Sequence, residues 1–124
     1  MARRVAVITG ASSGIGAVFA RKLAADYDLL LIARRRDRLE ALAAELRAEA
    51  GTTVDILAAD LADEKELALV ADRLAAELNL GLLVNNAGFG TIGFFWEADL
   101  ARQEEMHRLH VMATVRLSAR CRAL

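Results

Sequence analysis

Along this chain, short runs of consecutive apolar residues alternate with longer stretches whose apolar positions recur at helical spacing. Residues 5–8, 29–32, 54–58 and 82–84 form the short runs, and their length and β-rich composition predict strands. After the first run, Ile15, Val18, Phe19 and Leu23 fall on one helical face, which is expected to meet the core. Leu39, Leu42, Ala43 and Leu46 make the next stripe, ending before Gly51 at a predicted C-cap. Asp63, with Glu66 three residues on, predicts a capping-box-like start to a third helix carrying Leu67, Val70, Ala71, Leu74 and Leu78. From about Leu100 onward the pattern is helical again.

Strands that are apolar throughout and alternate with helices predict a parallel sheet covered on both faces. Right-handed crossovers then give the strand order 3-2-1-4. The expected fold class is α/β: a partial, Rossmann-type doubly wound sheet with flanking helices, and the fourth strand at an edge. No linker or repeat divides residues 1–124, so one domain is expected.

Composition narrows the function classes. Apolar residues make up 56% of the chain and charged residues 27%, with a formal net charge of -1. That balance gives no general attraction to nucleic acid or an anionic membrane. No stretch approaches the roughly 18 to 20 apolar residues of a membrane span. Cys121 is the single cysteine, which rules out an internal disulfide and makes a cytoplasmic location the expectation.

The chemistry-bearing residues sit where strands give way to helices. Gly10, Gly14 and Gly16 lie in Thr-Gly-Ala-Ser-Ser-Gly-Ile-Gly, between the first strand and the first helix. A turn there needs residues without a Cβ for unusual backbone angles and close approach to a phosphate, and the helix N-terminus behind it presents free N–H groups. Ser12 and Ser13 add hydroxyl donors. Asn85-Asn86-Ala87-Gly88 follows the fourth strand, and Asp60-Leu61 follows the third.

These three motifs, in this order, resemble the cofactor-binding half of the classical short-chain dehydrogenase/reductase family. The resemblance runs over essentially the whole chain, which matches only about the first half of a family member. It implies a nicotinamide dinucleotide cofactor cradled at Gly10, Ser12, Ser13, Gly14, Ile15 and Gly16. Asp60 and Leu61 would meet the adenine, and Asn86, Ala87 and Gly88 the adenosine ribose. Asn85 would tie the central strands together. An ordinary glycine turn, a helix-capping Asp60 and an Asn-Gly turn are the plainer alternatives.

Arg34, Arg35 and Arg36 close the second strand, and no acidic residue occupies positions 33–36. An acidic residue there grips the ribose 2′-hydroxyl of NAD, whereas arginine accommodates the 2′-phosphate of NADP. Guanidinium pairs bidentately with phosphate, so Arg34 and Arg35 are the expected partners and NADP(H) is favoured over NAD(H). A solvated helix start is the alternative for this run; an RNA-binding patch is disfavoured by the net charge and the lack of interleaved aromatics.

In the family a tyrosine, with a lysine four residues later and an upstream serine, performs the proton transfer to a carbonyl or alcohol substrate. A tyrosine needs the nearby cation because its ordinary pKa of about 10 is far from neutral. Here the one tyrosine, Tyr27, is followed four positions on by Leu31, and the lysines are Lys22 and Lys65. The 124 residues are therefore expected to bind the cofactor without turnover, as part of an oxidoreductase or as a non-catalytic binding or interaction module. His110 stands where the family carries an asparagine; a packed or interface histidine is the preferred reading. His107 and His110, three apart, have no cysteine nearby and only Glu104 as an obvious further ligand, so a metal site is disfavoured. Gly81 replaces a usual aspartate, and residues 89–96 supply one apolar wall for a substrate. An edge strand and an uncovered last helix, with Met106, Val111, Ala113 and Leu117, lead to an expected homo-oligomer.

Overall fold

The computed structural model describes residues 3–12, 14–87 and 100–121, with the side chains of residues 102–103, 106–110 and 120 outside that description. Four parallel strands, β1 (Val5–Thr9), β2 (Asp28–Ala33), β3 (Val54–Ala58) and β4 (Leu80–Val84), form one sheet in the order β3-β2-β1-β4. Helices α1 (Gly14–Leu23), α2 (Arg36–Ala50) and α3 (Glu64–Ala76) connect them in turn. After β4 come α4 (Leu100–His107), a π-helical segment (Arg108–Ala113) and α5 (Thr114–Arg120). The strand order is the one that right-handed crossovers require. No helix among the described residues is long and apolar enough to cross a membrane.

The period-two alternation of a strand divides its side chains between two cores. Ala6, Ile8, Leu29 and Leu31 pack with Ala17 and Ala20 of α1 and Leu39, Leu42, Ala43 and Leu46 of α2. Val7, Leu30 and Ile32 face the other way, against Leu67, Val70, Ala71 and Leu74 of α3 and Leu117 of α5. Helices on both faces explain the continuous apolar runs 5–8 of β1 and 29–33 of β2.

One expected core face and one further core position are corrected. Ile15, Val18 and Phe19 point outward, with Ile15 67% and Phe19 41% exposed, while α1 turns Gly16, Ala17 and Ala20 to the sheet. Both faces of this helix are apolar, so periodicity alone does not choose between them; the small face wins because it brings the helix close enough to pack against β1 and the turn. Leu78 lies beyond the end of α3 and is 79% exposed.

The helix ends follow their sequence signals more closely. Gly51 adopts the left-handed conformation and its N–H donates to the Arg47 carbonyl. The Asp63 carboxylate accepts from the Glu66 N–H at 3.0 Å. The reciprocal half of a capping box is absent: the Glu66 carboxylate accepts from the Asp60 N–H instead, at 3.2 Å.

Candidate dinucleotide-binding site

Because the strands are parallel, the segments that leave β1, β2, β3 and β4 all emerge along one edge of the sheet. Open α/β sheets bind ligands beyond this carboxyl edge. Thr9, the buried last residue of β1, fastens two of these segments together. Its Oγ1 accepts from the Asn86 N–H at 2.9 Å and the Ala87 N–H at 3.0 Å, and donates to the Val84 carbonyl at 3.4 Å. Asn86 Nδ2 returns a hydrogen bond to the Gly10 carbonyl, 3.2 Å away. Asn85, expected to tie the central strands, is exposed and donates from Nδ2 to Ser118 Oγ on α5. Thr9 makes the tie because it ends its strand with a hydroxyl aimed at the neighbouring chain. A buried threonine closing an apolar strand was the sequence signal for it.

The close approach explains two of the glycines. Gly10 has φ +64°, and a Cβ there would sit 2.9 Å from the Ala87 Cα and N. A Cβ on Gly16 would collide with the Gly10 carbonyl oxygen and lie 2.7 Å from Asn86 Nδ2. Gly14, with φ +60°, has nothing within 4 Å of its would-be Cβ and faces open space. From Gly14 onward the first N–H groups of α1 have no intrahelical acceptor, and no acidic side chain occupies that first turn. The dipole end and the free donors suit an anion there.

The turn also rests against β2, through the Ala11 N–H to the Ile32 carbonyl at 3.2 Å. Just past β2, Arg34 and Arg35 are exposed, and Arg35 precedes α2 in extended backbone without a side-chain cap. Among the described residues no hydrogen bond or ion pair engages either guanidinium. The Ala59 N–H to the Ala33 carbonyl, at 2.9 Å, keeps the ends of β3 and β2 together. Beyond it Asp60 folds one carboxylate oxygen back onto the Ala62 N–H at 3.0 Å, and Leu61 is buried in the core beneath. Asp60 shapes its own turn, and Asp63 is the helix cap.

One edge thus gathers Gly10, Ser12, Gly14, Ile15, Gly16, Arg34, Arg35, Asp60, Leu61, Asn86 and Ala87. Ser13 and Gly88 lie outside the described residues, as do residues 89–96; the backbone of His110 runs through the π-helical segment, and its side chain is outside the description. Just past α5, burial pushes the Cys121 thiol upward from its ordinary pKa, and its Sγ lies 3.4 Å from the Leu117 carbonyl. The arrangement fits a dinucleotide on its own terms. Among the described residues it has a turn with no room for Cβ atoms at Gly10 and Gly16, an open approach at Gly14, a helix N-terminus whose first N–H groups lack intrahelical acceptors and two guanidinium groups without a partner.

Known proteins share this frame. Residues 4–123 match the short chain dehydrogenase family model. The bulky-bulky ketone specific alcohol dehydrogenase from Comamonas testosteroni superposes with a TM-score of 0.93 at 39% identity, over 97% of this chain and 48% of that one. A short-chain dehydrogenase from Sphingobium yanoikuyae, in complex with NADPH, gives 0.92 at 43% identity, over 94% and 46%. The very-long-chain 3-oxoacyl-CoA reductase of Podospora anserina is 42% identical over 86 residues, 67% of this chain and 25% of its own length. The chain thus spans about half of these solved structures and a quarter of that reductase. With the family motifs, strand order and site geometry in agreement, the chain belongs to the short-chain dehydrogenase family.

Proposed function

We propose that residues 1–124 form the NADP(H)-binding part of an oxidoreductase that moves hydride between a nicotinamide and a small carbonyl or alcohol compound. The observation that carries this reading is the packed junction of Thr9, Gly10, Gly16 and Asn86, which leaves the α1 N-terminus open to an anion. In this reading the first N–H groups of α1, with Ser12 and Ser13, hold the pyrophosphate. Arg34 and Arg35 hold the adenosine 2′-phosphate, Asp60 and Leu61 bound the adenine, and Asn86, Ala87 and Gly88 line the ribose. The NADPH complex of the Sphingobium yanoikuyae relative supports the phosphorylated form. Bound there, the dinucleotide supplies the hydride, and the task of this chain is to orient it.

Reduction of a carbonyl also needs a proton donor, worth about 10² to 10⁴ in rate. These residues contain no Tyr-x-x-x-Lys pair, since Leu31 stands four positions after Tyr27. The reading therefore assigns the 124 residues binding rather than turnover.

Calorimetric titration with NADPH and NADH tests it. The unmodified chain is expected to prefer NADPH, and Arg34→Asp to reverse the order by removing a charge-assisted contact and adding repulsion, about 10- to 100-fold on the NADPH side. The same samples are expected to leave NADPH absorbance constant with ketones and aldehydes. Equal affinities in the unmodified chain would defeat the preference, and sustained turnover lost in His110→Ala would locate a different active site.

A further inference from the structure

Between α1 and α2 lies a cleft of about 280 Å³, lined among others by Ser12, Ala17, Arg21, Arg38, Leu42 and Glu45. Arg38, Leu42 and Glu45 are spaced i, i+4, i+7 and share one stripe of α2, facing Ala17 and Arg21 at i, i+4 on α1. Buried Ala17 and Leu42 make its floor, and alanine at position 17 leaves the space open. At one end Arg21 Nε and Glu45 Oε2 pair at 3.1 Å, so the cleft's carboxylate is already neutralised. At the other end Ser12, from the glycine turn, and Arg38, from the first turn of α2, line the opening. No hydrogen bond or ion pair engages the Arg38 guanidinium among the described residues. The neighbouring acid, Asp37, is exposed and is not among the residues lining the cleft.

The sheet order places this opening. A dinucleotide with its pyrophosphate at the α1 N-terminus and its adenine beside Asp60 must carry the adenosine ribose across the end of β2, since β2 lies between β1 and β3. The Ala11-to-Ile32 hydrogen bond holds the glycine turn against that same end, with Ser12 next in the chain. A substituent on the ribose 2′-carbon is thereby brought to the mouth of the α1–α2 cleft. We propose that Arg38 determines specificity for the phosphorylated dinucleotide, its guanidinium meeting the 2′-phosphate from within this cleft while Arg34 meets it from the β2 end. This inference rests on the NADP(H) reading above and adds a residue to it. A cation on the cleft side makes a charge-assisted contact with a phosphate and at most a weaker one with a ribose hydroxyl, and so discriminates between the two forms.

The probes are adenosine 2′,5′-bisphosphate and adenosine 5′-monophosphate, which differ by the 2′-phosphate alone, titrated calorimetrically into the full chain, Arg38→Ala and Arg38→Lys. Arg38→Ala is expected to weaken the bisphosphate about tenfold or more, with the monophosphate unchanged within twofold. Arg38→Lys is expected to recover part of the loss, since the charge returns without the planar fork. An unmodified chain that does not discriminate between the probes overturns the NADP(H) reading and Arg38's part in it. Discrimination that survives intact in Arg38→Ala overturns Arg38 alone. Equal weakening of both probes also overturns it, by making Arg38 a support of the fold.

Discussion

One added methyl group at Gly10 or Gly16 would press on the segment after β4 at under 3 Å. Three glycines in that turn differ in what a Cβ would cost. Gly14 needs a positive φ but faces open space; Gly10 needs a positive φ and touches the Ala87 backbone; Gly16 is helical and meets the Gly10 carbonyl. Gly14→Ala is therefore expected to lose about 1 to 2 kcal/mol through backbone strain alone. Gly10→Ala and Gly16→Ala are expected to lose about 3 kcal/mol or more, because backbone atoms cannot swing aside as a flexible side chain can. Urea denaturation of the three variants measures this, and equal losses would show that the contacts across the junction carry no weight. The spacing of these glycines was readable in the chain, while the difference among them depends on Ala87 and Asn86, more than seventy residues away.

At the scale of elements, Thr9 joins β1 to the chain leaving β4. Thr9→Val keeps the shape and removes the acceptor of two backbone N–H groups, so a loss of about 2 kcal/mol is expected, with faster hydrogen exchange at the Asn86 and Ala87 amides. Thr9→Ser restores the oxygen and should recover most of both; failure of the rescue would mean that packing of the methyl group, and not the hydrogen bonds, holds the junction. Strand positions were legible here because runs of apolar residues have few other uses, and the structure extends each predicted run by two residues at most. The buried face of α1 was not legible, since alanines and large apolar residues alternate around it. Gly81 is a similar case: β4 pairs Leu80 with Val5 and Leu82 with Ala6, leaving Gly81 as an extra residue where a Cβ would sit 2.8 Å from the Arg4 Cβ. Only the pairing of the strands exposes that need.

At the scale of the whole molecule, two features favour association. Among the described residues β4 pairs with β1 alone, which leaves its other edge without a strand, and Ile15, Phe19, Val111, Met112 and Val115 are exposed. The apolar surface of the last helix is narrower than the sequence suggested: Ala113 and Leu117 are buried against α3, and Arg116 reaches Glu64 at 3.7 Å across the same contact. Light scattering over a concentration series is expected to show mass rising with concentration. A monomer that stays monomeric and unfolds cooperatively at high concentration would show that β4 and these side chains are tolerated in water.

Local chemistry and period determined the strand and helix order, the glycine turn, the Gly51 and Asp63 caps and the arginines past β2, because each depends on residues a few positions apart. Long-range packing decided the rest. It chose the small-residue face of α1, gave Thr9 the tie expected of Asn85, turned the Glu66 carboxylate to Asp60, and opened the cleft that Arg38 shares with Ser12. These outcomes depend on which atoms from distant segments compete for one space, and no pattern along a single segment records that competition.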